Sequence, residues 1–193
     1  MKALSVLTFA TAAALVLAGC SSRKDPTRSN FEAAIADGLK SGPNLCISIA
    51  LDWPDTTADE TEQARQRRAL VAAGLLSSTP DNTADAIGRP ISRHRYNLTL
   101  EGKKYADGGA LCYGKAHLQK LLDWDPVATV FGVQQTMTRF TYSIDGLPDW
   151  AKGPDVQAAL PNMKNAIDGQ NKQTMSMPLV LDGDHWRADS PHS

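Results

Sequence analysis

The chain has 193 residues, with 20 Lys and Arg against 21 Asp and Glu, a formal net charge of −1. That near-balance leaves no basic excess to hold a phosphate backbone, so no nucleic-acid partner is expected. The length suits one ordinary domain with a core of useful size.

Met1 and Lys2 make a short basic start, and residues 3–17 are an apolar run interrupted by Ser5, Thr8 and Thr11. This is the pattern of a secretory signal peptide, too short and wrongly flanked for a spanning helix. The run ends in Leu17-Ala18-Gly19-Cys20 followed by polar residues, not in an Ala-x-Ala site. This tetrapeptide resembles the lipobox of bacterial lipoproteins. The resemblance implies that residues 1–19 are removed, that the Cys20 thiol carries diacylglycerol, and that the new amino terminus is acylated. The membrane is then a partner through the lipid on Cys20, with the protein on the bacterial cell envelope. The non-acidic Ser21 implies the outer membrane, facing the periplasm. Each buried methylene contributes roughly 0.8 kcal/mol, so more than one chain makes attachment stable.

Cleavage leaves 174 of the 193 residues and removes one charged side chain, Lys2. With Cys20 lipidated, Cys46 and Cys112 remain as an even pair in an oxidising compartment, and a disulfide between them is expected. Residues 20–28 read as the lipidated cysteine and a flexible polar tether, and residues 29–193 as a single α+β domain.

The domain opens with a predicted helix, because Ser29-x-x-Glu32 is a capping box and Phe31, Ala34, Ile35 and Leu39 share a face. Gly42-Pro43 ends it. Residues 45–51 alternate as a strand closed by Trp53-Pro54. Residues 59–73 return to a helical pattern, with Gly74 as the stop. Leu75-Leu76 start a short strand, residues 77–92 are a loop or a long hairpin tip, and Tyr96, Leu98 and Leu100 alternate again.

Residues 111–124 read as a strand passing into a helical turn near 118–122. Thr138, Phe140, Tyr142 and Ile144 alternate as a half-exposed strand. Short helices are predicted over 155–159 and 162–167, with Pro154 in a first-turn position and Pro161 between them. A hairpin of residues 176–181 and 185–188 turns at Asp182-Gly183, and residues 189–193 are expected to fray. The short late connections favour antiparallel pairing, so the expected fold class is α+β with a mainly antiparallel sheet and packed helices.

Within the first half, Leu70-x-x-x-Gly74-Leu75-Leu76, a loop, and Tyr96-x-Leu98-Thr99-x-x-Gly102 form a winged-helix-like segment, which resembles the recognition helix and wing of winged-helix proteins. The plain alternative is a compact αββ unit without a DNA role, favoured by an exported, net-acidic chain.

Catalytic and metal motifs are missing: there is no Gly-x-Ser-x-Gly, no phosphate loop, no His-Glu-x-x-His and no Cys-x-x-Cys. No cofactor and no metal is expected. His117 alone among the histidines lies in a patterned segment. Asp-Trp recurs as Asp52-Trp53, Asp123-Trp124 and Asp149-Trp150, each where a patterned segment meets a turn. The three indoles either converge into an aromatic groove for a glycan, peptide or lipid, or plug the ends of a sheet core. Two functions follow: a non-catalytic binding or interaction module for an envelope protein or ligand, or a cell-envelope hydrolase using His117 with a nearby carboxylate such as Asp123.

Overall fold

In the computed structural model, which describes residues 22–81, 83–84 and 86–189, the chain is folded from Ser22 onward. The signal segment 1–19, Cys20 and the expected fray at 190–193 lie outside the described residues. Residues 22–27 are packed on the domain instead of forming a loose tether. Ser22 N–H donates to Asp25 Oδ2 at 2.8 Å, Asn30 Nδ2 donates to the Ser22 and Asp25 carbonyls, and Trp186 Nε1 donates to the Lys24 carbonyl at 3.0 Å. A polar composition here reflects satisfied turn hydrogen bonds, which no apolar periodicity announces.

Helix α1 (Arg28–Ser41) is capped by Thr27, whose hydroxyl accepts from Asn30 N–H. Ser29 is therefore inside the helix, and Glu32 pairs with Arg28 at 3.5 Å instead of closing a capping box. The face read from the sequence is the buried one, with Phe31, Ala34 and Ile35 inside.

Strand β1 (Leu45–Ser48) stops short of residue 51, because Ile49 and Ala50 N–H groups both turn to the Gly109 carbonyl. Gly109 sits so close that an added Cβ would stand 2.0 Å from the Ala50 oxygen. Next come β2 (Asp55–Ala58) and α2 (Glu62–Ala72), the latter capped by the Thr61 hydroxyl on Ala64 N–H. Gly74 follows at φ +77°. Then β3 (Leu76–Pro80), β4 (Thr83–Ala84), β5 (Pro90–Ile91) and β6 (Arg93–Leu98) complete a long hairpin whose tip is the β4–β5 ladder. Strands β2, β6 and β3 form a small sheet in that order. The compact αββ unit is thus present, with β2 added as a third strand.

After a 3₁₀ turn at Gly102–Lys104 come β7 (Ala106–Asp107), β8 (Ala110–Trp124), β9 (Ala128–Val130) and β10 (Val133–Asp145). Three short helices follow, α3 (Asp149–Lys152), α4 (Pro154–Ala159) and α5 (Pro161–Asp168), with Pro154 and Pro161 at helix starts. Strands β11 (Thr174–Asp182) and β12 (His185–Ala188) end the fold, and Asp189 N–H is held by the Pro178 carbonyl.

The main sheet runs β1-β8-β10-β11-β12, with β7 on β8 and β9 on β10, and every pairing in it is antiparallel. The expected α+β class with an antiparallel sheet is what forms. The helical turn expected at 118–122 does not: those residues continue β8, where pairing with β10 from Thr138 to Asp145 outweighs the local Leu-Gln-Lys-Leu-Leu pattern.

Register shifts at Arg139/Phe140 and Thr141/Tyr142 bend this long pair, so its two halves serve different cores. Leu121 and Phe140 pack with Phe31, Ile35, Leu179 and Trp186 under α1. Tyr113, Tyr142 and Ile144 pack with Leu70, Tyr96, Val156, Leu160 and Met163 from α2, β6 and the late helices. Cys46 and Cys112 are directly opposed across β1 and β8, Cα atoms 3.9 Å apart, and are joined in a disulfide. No helix among the described residues is long and apolar enough to cross a membrane.

Candidate functional site

The three Asp-Trp indoles do not line one groove. Trp124 belongs to the α1 core, with its ring edge-to-face on Phe31 at 5.3 Å and the Arg28 guanidinium 5.5 Å from its centroid. Trp53 packs on the other core and donates from Nε1 to the Gly108 carbonyl at 3.1 Å. Trp150 packs there too, edge-to-face on Tyr105 at 5.7 Å. Trp53 and Trp124 are thus partly buried side chains packed against two different cores. Trp186, which carries no preceding Asp, is the fourth indole and closes the α1 core against Phe31 at 4.9 Å.

Trp150 differs from the others. Its Nε1 is buried and has no hydrogen-bond partner. The ring stands between two open clefts. One, of about 470 Å³, is walled by Leu75, Tyr105, Leu147 and Trp150, with Glu101 and Asp149 at its rim. The other, of about 330 Å³, lies between α2 and α4, where Ala69, Ala72 and Ala73 face Pro154 and Val156. Small side chains on α2 leave the room that Trp150 borders. The 3₁₀ turn places Glu101 and Tyr105 opposite α3, which places Asp149 and Trp150.

Both rim carboxylates are held ionised by lysines: Lys104 hydrogen-bonds Glu101 and Lys152 hydrogen-bonds Asp149, and each keeps its partner's carboxyl below the usual range. The lining holds no histidine and no thiol. An aromatic wall beside fixed charges suits recognition of a ligand with one apolar and one polar side, not proton transfer. The Tyr105–Trp150 meeting was not visible in the sequence, where 44 intervening positions separate a turn residue from a short helix.

His117 and Asp123 are not brought together. Cross-strand register sets Arg139 opposite Asp123, and Arg139 binds both Asp123 and Asp125, the latter at 2.8 Å. Six residues along one strand separate His117 from Asp123, roughly 20 Å at strand rise. His117 instead meets Asp145, Nε2 to Oδ2 at 3.2 Å, with both side chains exposed on the sheet and no cleft among those described here beside them. The carboxylate beside His117 is therefore Asp145 and not Asp123, and the pair stands on the exposed sheet surface.

Asp107 brings an oxygen within 4.8 Å of both Cys46 and Cys112 sulfurs, but sulfurs joined in a disulfide offer no thiolate to a metal. No protein family, no curated protein and no solved structure matches this chain.

Proposed function

We propose that the protein is a lipid-anchored lipoprotein of the bacterial cell envelope, on the outer membrane and facing the periplasm, whose domain is a non-catalytic binding module. The observation that carries this reading is the closeness of the fold to the lipobox-like cysteine. Ser22 is already hydrogen-bonded to the domain, two residues past Cys20. An extended chain spans about 3.5 Å per residue, so a lipid on Cys20 would hold the domain at the bilayer surface. The Cys46–Cys112 bridge accords with export to an oxidising compartment.

In this proposal the Trp150 cleft receives the envelope partner or ligand. The α2, β3 and β6 unit, whose order resembles a recognition helix and wing, serves as scaffold: Arg67 is turned inward against Asp55, and the chain has no basic excess for DNA.

Two measurements test the proposal. Replacing Cys20 with Ala should abolish incorporation of labelled fatty acid and leave unprocessed precursor, and label persisting on the Cys20→Ala chain refutes the anchor. A photo-crosslinker at Leu147, beside Trp150, should capture an envelope component in cells that a crosslinker at Lys172 does not. Equal capture at both positions refutes the cleft.

A further inference from the structure

The β9–β10 turn carries an apolar tip that the domain leaves uncovered. Val130 and Val133 are directly opposed in the ladder and so share a face. Both are exposed, and Phe131 beside them is wholly so, at 102% of its reference area. Nothing inside the domain calls for phenylalanine here. Phe131 and Gly132 hold φ of 50° and 81°, the two-residue primed turn that favours Asn, Asp or Gly at its first place. A bulky side chain at positive φ is disfavoured, and so is its ring in water. A residue unfavourable to its own turn and to its solvent marks a place where an outside surface relieves the conflict. Leu51 and Leu100 are also exposed, but without flanking apolar side chains among the exposed large hydrophobics.

Strand register locates the tip. The β10–β11 ladder ends with Gln135 opposite Val180, so Val133 leaves it on the side toward Asp182 and the β11–β12 turn. The start of the described chain is at this same end. Arg23, His185 and Trp186 line one shallow cleft, Trp186 Nε1 holds the Lys24 carbonyl, and Arg28 Nη1 donates to the Leu121 carbonyl at 2.6 Å near the end of β8. Two residues from Ser22 back to Cys20 reach at most about 7 Å.

We propose that the Val130, Phe131 and Val133 tip inserts into the bilayer that holds the lipid on Cys20, giving the domain a second contact that fixes its orientation on the membrane. This rests on the lipid-anchor reading. Phospholipid is the occupant that the charges at this end allow. Asp182 is paired with Arg187, and Asp123 and Asp125 with Arg139, while Asp184 hydrogen-bonds His185, Asp25 accepts from Ser22 N–H, and Asp37 shares a cleft with Arg23. Arg23 and Lys24 are exposed beside them and attract anionic headgroups. With the tip seated, the Phe131 ring lies at the headgroup–acyl boundary, where aromatic side chains are favoured.

The test uses the full, lipid-modified chain carrying Thr129→Cys, the one free thiol when Cys46 and Cys112 are joined and Cys20 is acylated. The thiol is labelled with bimane and the protein reconstituted into vesicles of phosphatidylethanolamine and phosphatidylglycerol, with and without a nitroxide-bearing phospholipid. The expected result is a blue-shifted emission that the nitroxide quenches. A label at Lys172→Cys, beyond the opposite end of β11, should not be quenched. Adding Phe131→Asp to the Thr129→Cys chain should abolish quenching while the protein stays on the vesicles. A vesicle-bound chain unquenched at 129 overturns the insertion and leaves the anchor standing. Quenching that survives Phe131→Asp overturns it too, as does an emission shift that follows protein concentration and not the nitroxide, which assigns the tip to a second copy of the chain. Protein that mass spectrometry shows without acyl chains, and that stays off the vesicles, overturns the anchor and the insertion together.

Discussion

Arg67 of α2 and Asp55 of β2 form an ion pair at the centre of the first-half unit, Nε to Oδ2 at 2.5 Å, with side chains 5% and 21% exposed. Arg67 Nη2 also donates to the Ile49 carbonyl at 2.6 Å, and its guanidinium lies 6.0 Å from the Tyr96 ring centroid. The contact with Asp55 is electrostatic rather than a directed hydrogen bond, since Nε and Nη1 are both without an aligned acceptor. Removing one partner strands a buried charge, whereas removing both need not. Asp55→Ala is expected to destabilise by about 3 kcal/mol, and Asp55→Ala with Arg67→Met to recover most of that loss. Urea midpoints of the single and double variants check it. Losses that simply add would show that the two residues do not act as a unit.

Joining Cys46 to Cys112 closes a sequence separation of 66 residues and ties β1 to the main sheet. A loop of that length is worth about 4 kcal/mol in the chain-entropy account. Replacing both cysteines with alanine should lower stability by about that amount. Mass spectrometry of unreduced, exported protein should find no alkylatable thiol.

What the sequence discloses depends on how local the cause is. The α1 face of Phe31, Ala34 and Ile35, the proline start of α4 and the Asp182-Gly183 turn follow from spacing and turn chemistry within a few residues, while Pro161, read as a break between two helices, opens α5. The Cys46–Cys112 bridge is legible as a pair of cysteines on two patterned strands. Strand β2 is not legible in the sequence because Asp-Thr-Thr-Ala has no apolar alternation, and its four residues are held half-buried by β6. Leu118 to Leu122 read as a helical turn locally, and only the pairing of residues 115–124 of β8 with β10 makes them strand. In the sequence Trp150 belongs to one of three equivalent Asp-Trp dipeptides. Its distinction comes from Tyr105 and from alanines on α2, none of them its neighbours in sequence.

Asp59 joins the loop before α2 to β6. Its carboxylate accepts from the Ser92 hydroxyl and lies 2.6 Å from His94 Nδ1, and these two contacts, Ser92 first, hold its carboxyl below the ordinary value of 3.8. A depressed folded-state value means that the ionised form contributes stability above the ordinary carboxylate range. That contribution is lost as pH falls through the lowered folded value. The stability gap between the native chain and Asp59→Asn should therefore be open at neutral pH and close on acidification below 3.8. Chemical denaturation across that range measures it, and a gap that widens in acid would reverse the sign.

Trp150 provides the sharpest separation of structure from recognition. The ring fills space against Tyr105 and the late helices, so Trp150→Ala should cost about 3 kcal/mol, as large-to-small changes of a partly exposed aromatic do at the low end of their range. Its Nε1, by contrast, bonds nothing in the domain. Losing an unpartnered buried donor relieves a desolvation penalty of about 1–3 kcal/mol, which offsets much of the volume lost in Trp150→Phe. That variant should unfold within about 1 kcal/mol of the native chain. If Nε1 is there to meet a ligand entering from the cleft, Trp150→Phe should nevertheless lose the envelope crosslink formed from Leu147. A Phe variant that is as unstable as the alanine one would mean that the indole N–H is satisfied within the fold. One that keeps both stability and the crosslink would free the indole N–H, though not the aromatic ring, of a role in recognition.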